Sequence, residues 1–425
     1  LMRLIQTALS TVLLCCGAVG LVGQTPAPDP AVPGSQIRVA LVTMGPGSNI
    51  WDRFGHNAIW IRDPDSRINR LYNYGVYDFN AENFVLRFIQ GRMLYRMGSG
   101  DPDVTFRYFS ERANRSVWVQ ELNLTPAQRI ELRDFLLWND RPENQEYRYD
   151  YYYDNCSTRV RDALDRVLGG VIQRQTEETA AGTTLRFHTR RLTSNNVWYY
   201  TGLMIALGPM VDKPITVREE MFLPMSLRDH LRGISVTGPD GNQEPLIASE
   251  RTVFESTRPP SDEAPPSWRL AYLAVGVVLS GLLFWLAGAG ATSRRSRIGF
   301  VSVSTAWMLV VGVLGAVLFG LVVATDHASA YWNENLFLFN PLALALALTV
   351  PVAAFGVRWA NRSVIFLAAA VAGLSALGFI AQVLPGLDQV NGELYALVLL
   401  PNVAVGVGVF RLNGSREQGT GSRDS

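Results

Sequence analysis

The sequence predicts an exported α+β domain, residues 36–255, followed by an all-α membrane domain of five helices, residues 268–411. Residues 30–265 have the mixed composition of a soluble domain, whereas residues 268–411 are overwhelmingly apolar. An apolar run near the N-terminus, flanked by a charged start and a polar exit, has the order of an export signal. These observations together predict a catalytic or binding domain held at a membrane.

The charge balance excludes one large class of partner. The chain carries 38 Lys+Arg against 37 Asp+Glu, for a net charge of +1. Without a basic field, nucleic acid is not expected as a partner. No group of His, Cys and Asp residues has the spacing of metal ligands, so neither a metal ion nor another cofactor is expected.

The N-terminal segment and two linkers divide the chain. Arg3 precedes an apolar run over residues 4–22, which predicts that residues 1–24 are a signal peptide or an uncleaved N-terminal anchor. Residues 25–35 form a Pro-rich tether, and residues 256–267 form a second Pro-rich linker.

Five apolar runs in the C-terminal part have the length of membrane spans. They are residues 268–290, 298–324, 336–357, 363–384 and 393–410. Arginines follow the first, third and fifth runs only: Arg294, Arg295, Arg297, Arg358, Arg362, Arg411, Arg416 and Arg423. The positive-inside rule places these arginines in the cytoplasm. The sequence thus predicts a multi-pass protein of the bacterial cytoplasmic (inner) membrane, with residues 36–255 on the periplasmic side and residues 412–425 as a cytoplasmic tail.

Short segments rich in β-branched and aromatic residues predict strands in the exported domain. They are residues 37–43, 56–62, 70–76, 92–97 and 116–123. Helical spacing predicts helices over residues 80–90, 126–139 and 197–207, the second capped by Thr125 with Gln128.

Cys156 is the one cysteine outside the N-terminal apolar run, so no internal disulfide can form in the exported domain. Apolar residues at 160, 163, 164, 167 and 168 predict a helix, and Asp154 and Asn155 are good N-cap residues. Cys156 therefore falls in the first helical turn, where unpaired N–H groups favour a thiolate. A structural cysteine would more naturally lie in mid-helix on the apolar face, so the placement favours a nucleophile.

The chain contains four histidines, and His56 is the candidate proton carrier. It stands where a Gly-rich loop meets a predicted strand, so its ring can project into a cleft; a hydrogen-bonded structural histidine is the alternative. His188 and His230 lie in Arg-rich stretches and are expected at the solvated surface. Asn73 and Asn57 are candidates for the third group, which orients the imidazole.

Several motifs resemble a known bacterial family. They are Phe54-Gly55-His56-Asn57, Tyr72-Asn73-Tyr74-Gly75, the Tyr-rich tract 149–158 ending in Asn155-Cys156-Ser157-Thr158, and the segment 207–214. These motifs resemble the family of the Lnb N-terminal periplasmic domain, whose members are lipoprotein intramolecular transacylase-like. The resemblance covers residues 37–230 and extends into the membrane part through Asp326-His327, Asn333, Asn335 and Asn340-Pro341.

The resemblance implies a permuted papain-like, NlpC/P60-like fold in which the His-bearing strand precedes the Cys-bearing helix. By that likeness Cys156 is the nucleophile and His56 the general base and acid, with acyl transfer through a thioester. The expected substrate-binding residues are Asn155, Tyr153, His327, Asn333 and Asn335. The last three lie in a loop that the topology puts on the exported face; a polar interfacial loop is the alternative.

The sequence therefore predicts a membrane-anchored thiol acyltransferase acting on lipoprotein or lipid acyl esters, with the bilayer as a further partner. No oligomeric state is predicted. Two other functions stay open: a cell-wall peptidase or amidase of NlpC/P60 type, and a non-enzymatic envelope protein with a structural cysteine.

Overall fold

The computed structural model describes residues 32–78, 82–238, 240–355 and 357–421. The predicted signal peptide or anchor and most of the first tether lie outside these residues. The strands are β1 (Arg38–Met44), β2 (His56–Asp63), β3 (Ile68–Val76), β4 (Leu94–Gly100), β5 (Val117–Leu122), β6 (Glu146–Arg148), β7 (Ala180–Thr184), β8 (Pro214–Thr216), β9 (Ser235–Thr237), β10 (Gln243–Pro245) and β11 (Ile247–Phe254).

The helices of the exported domain are shorter than those of the membrane domain. They are α1 (Phe84–Ile89), α2 (Pro102–Arg107), α3 (Pro126–Asn139), α4 (Cys156–Val167), α5 (Val171–Thr176), α6 (Leu185–Thr193), α7 (Val197–Ala206), α8 (Val217–Glu220) and α9 (Pro224–Leu231). A π-helical turn spans Tyr108–Arg112, and a 3₁₀ turn spans Pro209–Asp212.

Within the described residues, seven strands form one antiparallel sheet in the order β11-β5-β1-β2-β3-β4-β6. Side chains alternate between its two faces, because successive residues of a strand point in opposite directions. On one face, Leu41 and Ile59 join a core that includes Val160 and Leu164 of α4. The opposite face carries a smaller core, into which Phe106 of α2 packs. Because both faces are covered, the sheet is a rigid base for the loops at its edge.

The membrane domain contains, among the described residues, five helices that are long and apolar enough to cross a bilayer. They contain α10 (Arg269–Gly290), α11 (Arg294–Ala324), α12 (Leu342–Ala354), α13 (Arg358–Ala381) and α14 (Gly392–Gly421). The third span begins before α12 and runs over Glu334–Ala354. The predicted all-α domain of five helices is thus confirmed. Helix α14 extends through most of the segment that the sequence assigned to a tail.

Buried polar contacts join the exported domain to one end of the membrane domain. The last carbonyls of α7 accept hydrogen bonds from Asn333 and Asn335, which follow α11. Arg190 pairs with Glu393 at 2.9 Å, at the start of α14. This is the end whose loops carry no Lys or Arg, which agrees with the predicted topology.

The described structure corrects several details of the sequence analysis. Helix α1 is shorter than predicted, and β4 begins two residues later. His188 is buried, not solvated as predicted: it is 3% exposed and its Nε2 bonds to Glu220 at 2.8 Å. The neighbouring Arg186 is buried as well, paired with Asp212. Sequence shows these charges but not their distant partners, so the stretch looked like a solvated surface.

The contact between the two domains gives a test of stability. Asn335 is fully buried; its Nδ2 donates to the Met204 and Ile205 carbonyls, and its Oδ1 accepts from Asn391. We expect Asn335→Leu to lower the free energy of unfolding by about 2–4 kcal/mol, because it leaves buried polar groups without partners. Thermal unfolding of the full chain in detergent measures this loss.

Asn242→Leu is the matched control, because Asn242 is exposed. It should change stability by less than about 0.5 kcal/mol. Equal losses for the two variants would contradict a stabilising role for Asn335.

Candidate active site

Helix α4 begins at Cys156 because Asn155 caps it. The Asn155 backbone is extended, and its side chain accepts hydrogen bonds from the N–H groups of Ser157 and Thr158 at 2.8 and 3.0 Å. Thr158 Oγ1 accepts in turn from the Asn155 N–H, which completes a capping box. The predicted placement of Cys156 in the first turn of a helix is confirmed.

A buried chain of hydrogen bonds fixes the start of α4 against the sheet. Thr43 of β1 donates to Asn57 Oδ1 at 2.9 Å, and Asn57 Nδ2 donates to Ser157 Oγ at 3.1 Å. Ser157 then donates to the Met221 carbonyl at 2.7 Å. All three side chains are buried. The chain of bonds holds Cys156 beside the first residues of β2.

His56 is the first residue of β2, directly before Asn57. Its Nε2 lies 3.2 Å from Asn73 Oδ1 on the adjacent strand β3. Because an amide oxygen only accepts, Nε2 carries the proton in this pair and Nδ1 keeps a lone pair. The imidazole is thus oriented by Asn73, one of the two residues suggested for that role. Asn57, the other, bonds to the helix start instead.

The Cys156 side chain lies next to residues of β2 and β3. The backbone N–H of Asn57 hydrogen-bonds to the sulfur, and the N–H groups of Ser157 and Cys156 also face it. A Cβ built on Gly75 of β3 would lie 3.5 Å from Cys156 Cβ and 3.9 Å from the Tyr149 ring. Gly75 has φ +87°, so a larger residue there would be strained as well as crowded.

Arg115 supplies the positive charge of the site. Its side chain is 5% exposed; Nε donates to the Gly45 carbonyl at 2.7 Å, and Nη1 donates to Asp52 at 3.1 Å. These bonds tie down the loop that leads from β1 to His56. Among the described residues, Nη2 has no hydrogen-bond partner.

Burial dominates the protonation of the two candidate catalytic groups. It raises the pKa of the Cys156 thiol to about 11, although the Asn57 N–H, the charge of Arg115 and the N–H groups of α4 act in the opposite direction. Burial, assisted by Arg115, lowers the pKa of His56 to about 4. The sequence analysis predicted a thiolate at the helix start. That prediction is wrong for the resting state, because desolvation outweighs the N–H groups.

At neutral pH the arrangement therefore holds a neutral thiol and a neutral imidazole. A neutral imidazole can accept the thiol proton as the sulfur attacks a carbonyl carbon. The N–H groups around the sulfur are donors of the kind that stabilises an oxyanion.

Two of the predicted substrate-binding residues are at least partly accessible to solvent. Tyr153 is half exposed, and its backbone N–H bonds to Asp150. The His327 ring bonds to the Phe88 carbonyl at 3.1 Å and stacks on Tyr151 at 6.3 Å. Contact of these residues with a substrate stays a prediction.

The other three predicted substrate-binding residues have structural roles. Asn155 caps α4, and its Nδ2 donates to the Tyr151 and Phe222 carbonyls. Asn333 and Asn335 are buried and bond to the end of α7. Their side-chain N–H groups are committed to backbone carbonyls, so any contact with a substrate stays a prediction.

Sequence reasoning missed three residues near Cys156. Nothing in the sequence pointed to Arg115, because it lies just before β5, far from both Cys156 and His56 in the chain. Tyr147 is buried near Cys156, and its hydroxyl has no partner among the described residues. Tyr149 belongs to the Tyr-rich tract 149–158 and Tyr147 lies two residues before it, so the tract was the available signal for both tyrosines.

Comparisons with known proteins give two family matches. Residues 25–196 match the model of the Lnb N-terminal periplasmic domain, and residues 275–400 match the model of the Lnb transmembrane domain. No curated protein and no solved structure gives a significant match.

The raised thiol pKa predicts how Cys156 reacts with iodoacetamide. The thiolate is the reacting species, and its fraction rises tenfold per pH unit below the pKa. With a pKa of about 11, the alkylation rate should rise about tenfold per unit from pH 7 to 10 without a plateau. Mass spectrometry of the Cys156 peptide measures the rate.

Free glutathione in the same reactions is the reference, and its rate should level off near pH 9. A plateau of the Cys156 rate below pH 8 would instead reveal a thiolate–imidazolium pair at rest.

Proposed function

Because the chain belongs to the Lnb family, as its periplasmic and transmembrane domain matches show, we propose that it is a membrane-anchored thiol acyltransferase. Cys156 is the nucleophile and His56 the general base and acid. The observation that carries the proposal is the placement of Cys156 at a capped helix start, where the backbone N–H of Asn57 hydrogen-bonds to its sulfur. His56, whose ring bonds to Asn73, is the residue directly before Asn57.

The first step acylates the enzyme. The Cys156 sulfur attacks the carbonyl carbon of a lipid or lipoprotein acyl ester while His56 Nδ1 accepts the thiol proton. The tetrahedral intermediate expels the alcohol, which receives that proton from His56. A thioester and a free alcohol result.

The second step transfers the acyl group. An amine, such as the free amino group of a lipoprotein, attacks the thioester carbonyl and passes a proton to His56. The C–S bond breaks, the sulfur regains the proton, and an amide is formed. Arg115 is a positioning residue in this scheme, since it holds the loop before His56.

The proposed fold of the exported domain is permuted papain-like. Two features support it: the Cys-bearing helix packs on an antiparallel sheet, and the His-bearing strand precedes it in the chain. The catalytic domain is proposed to lie on the periplasmic face and the C-terminus in the cytoplasm. The docking of the domain on the Arg-poor end of the helices supports this orientation.

Acyl-enzyme formation tests the proposal directly. The full chain in detergent is incubated with a diacylated lipopeptide, and the Cys156 peptide is analysed by mass spectrometry. We expect a hydroxylamine-labile acyl adduct that is absent in Cys156→Ser. His56→Ala should slow its formation by about 10²–10⁴-fold, the usual contribution of a general base.

His230→Gln is the matched histidine control, because the His230 ring bonds to Glu220, a residue with no role in the proposed steps. It should leave the acylation rate within about twofold of the parent.

Muropeptides are tested in parallel, and their cleavage without any acyl adduct would favour a cell-wall peptidase. Full complementation of a deletion by Cys156→Ala would favour a non-enzymatic role.

A further inference from the structure

Helix α1 exposes an apolar surface next to the membrane domain. Its sequence is FVLRFI, and none of its residues is buried. Four neighbouring side chains are about half or more exposed: Val85 (67%), Leu86 (51%), Phe88 (45%) and Ile89 (55%). We call this set the α1 surface. Soluble domains rarely leave such a cluster in water, and it marks a contact surface.

Two hydrogen bonds fix the height of α1 relative to the bilayer. The Asp326 N–H donates to the Gln90 carbonyl at 2.8 Å, and the His327 ring bonds to the Phe88 carbonyl at 3.1 Å. Asp326 is the second residue after Ala324, where the spanning helix α11 ends. Helix α1 therefore lies at the level where α11 leaves the membrane.

The residues around α1 are those of a membrane–water interface. Trp332, in the loop after α11, is 87% exposed, and tryptophan is enriched at this depth. Arg87 of α1 is exposed, and its long side chain can reach the headgroup phosphates while its stem stays apolar. Arg92 and Arg148 both form ion pairs with Asp326, so charged side chains lie next to the apolar α1 surface.

A line of aromatic rings leads inwards from α1. Phe84 of α1 lies 6.3 Å from Tyr77, Tyr77 lies 5.5 Å from Tyr95, and Tyr95 lies 4.4 Å from Tyr149, measured between ring centroids. The three tyrosines are partly buried. We call these three tyrosines the aromatic path.

The aromatic path ends at the nucleophile. The Tyr149 ring and Cys156 Cβ both lie within 4 Å of a Cβ position built on Gly75. A long apolar chain lying on the path would thus bring its carbonyl end to the sulfur.

We propose that the α1 surface is inserted in the outer leaflet of the bilayer and that the acyl chain of the substrate ester reaches Cys156 along the aromatic path. The first part, insertion of the α1 surface, depends only on the exposure of its side chains and on the position of α1 beside the end of α11. The second part rests on the proposed acyltransferase function and names its substrate class: a long-chain ester lipid taken directly from the leaflet.

Photo-crosslinking tests the first part without any assay of activity. The full chain with Phe88→benzoylphenylalanine is reconstituted in phosphatidylcholine–phosphatidylglycerol vesicles and irradiated. We expect lipid adducts at position 88, detected by mass spectrometry of the peptide. Val104→benzoylphenylalanine is the control. Val104 is 63% exposed, but it lies on α2, whose Phe106 packs against Trp60 on the opposite face of the sheet.

Each outcome decides for or against insertion of the α1 surface in the bilayer. Lipid adducts at position 88 with few or none at 104 support insertion. Equal yields at the two positions, or crosslinks from 88 to a second copy of the chain or to another protein, overturn it.

Chain-length dependence tests the second part. Tyr95→Ala widens the aromatic path, so acylation of Cys156 by a long-chain ester should fall at least tenfold more than acylation by a soluble short-chain thioester. Equal effects on both substrates would overturn the path. If no substrate acylates Cys156 in the parent protein while position 88 still crosslinks to lipid, the proposed function fails and leaflet insertion stands.

Discussion

The hydrogen bond from Asn57 to Ser157 is the contact on which the site depends. It joins the strand that begins with His56 to the helix that begins with Cys156, and Thr43 and the Met221 carbonyl extend it on both sides. Buried polar networks of this kind are rigid only when every polar group has a hydrogen-bond partner. Here Thr43, Asn57 and Ser157 each bond to the next member of the network. The positions of the thiol and the imidazole follow from the sheet and from a capped helix, not from flexible loops.

A second buried polar network holds the exported domain against the loops between the spanning helices. Asn333, Asn335 and Gln389 come from loops between the spanning helices, and they bond to the end of α7. Apolar residues of α6 and α7 continue into the core of the membrane helices. The two family domains therefore form one packed unit along this face, which suits a reaction whose substrate is anchored in lipid.

Sequence patterns were informative wherever structure is local. The caps at Thr125 and Asn155, the amphipathic α4 and the five spans could all be predicted, because each depends on residues within a few turns. Strand β11 was missed because most of its side chains are exposed and show no alternation. Arg115 and the burial of His188 depend on partners far along the chain. The protonation of Cys156 was missed for the same reason: the helix start is visible in sequence, whereas desolvation depends on everything packed around it.

The raised pKa of Cys156 has a consequence for survival in an oxidising compartment. The raised pKa keeps the ionised fraction of the Cys156 thiol at pH 7 well below that of a free cysteine. Peroxides and disulfides react with the ionised form, so this sulfur is chemically quiet most of the time. A raised thiol pKa therefore protects the solitary cysteine of the periplasmic domain from oxidation. Under the proposed mechanism, the thiol gives up its proton only when a bound reactant meets both the sulfur and the imidazole.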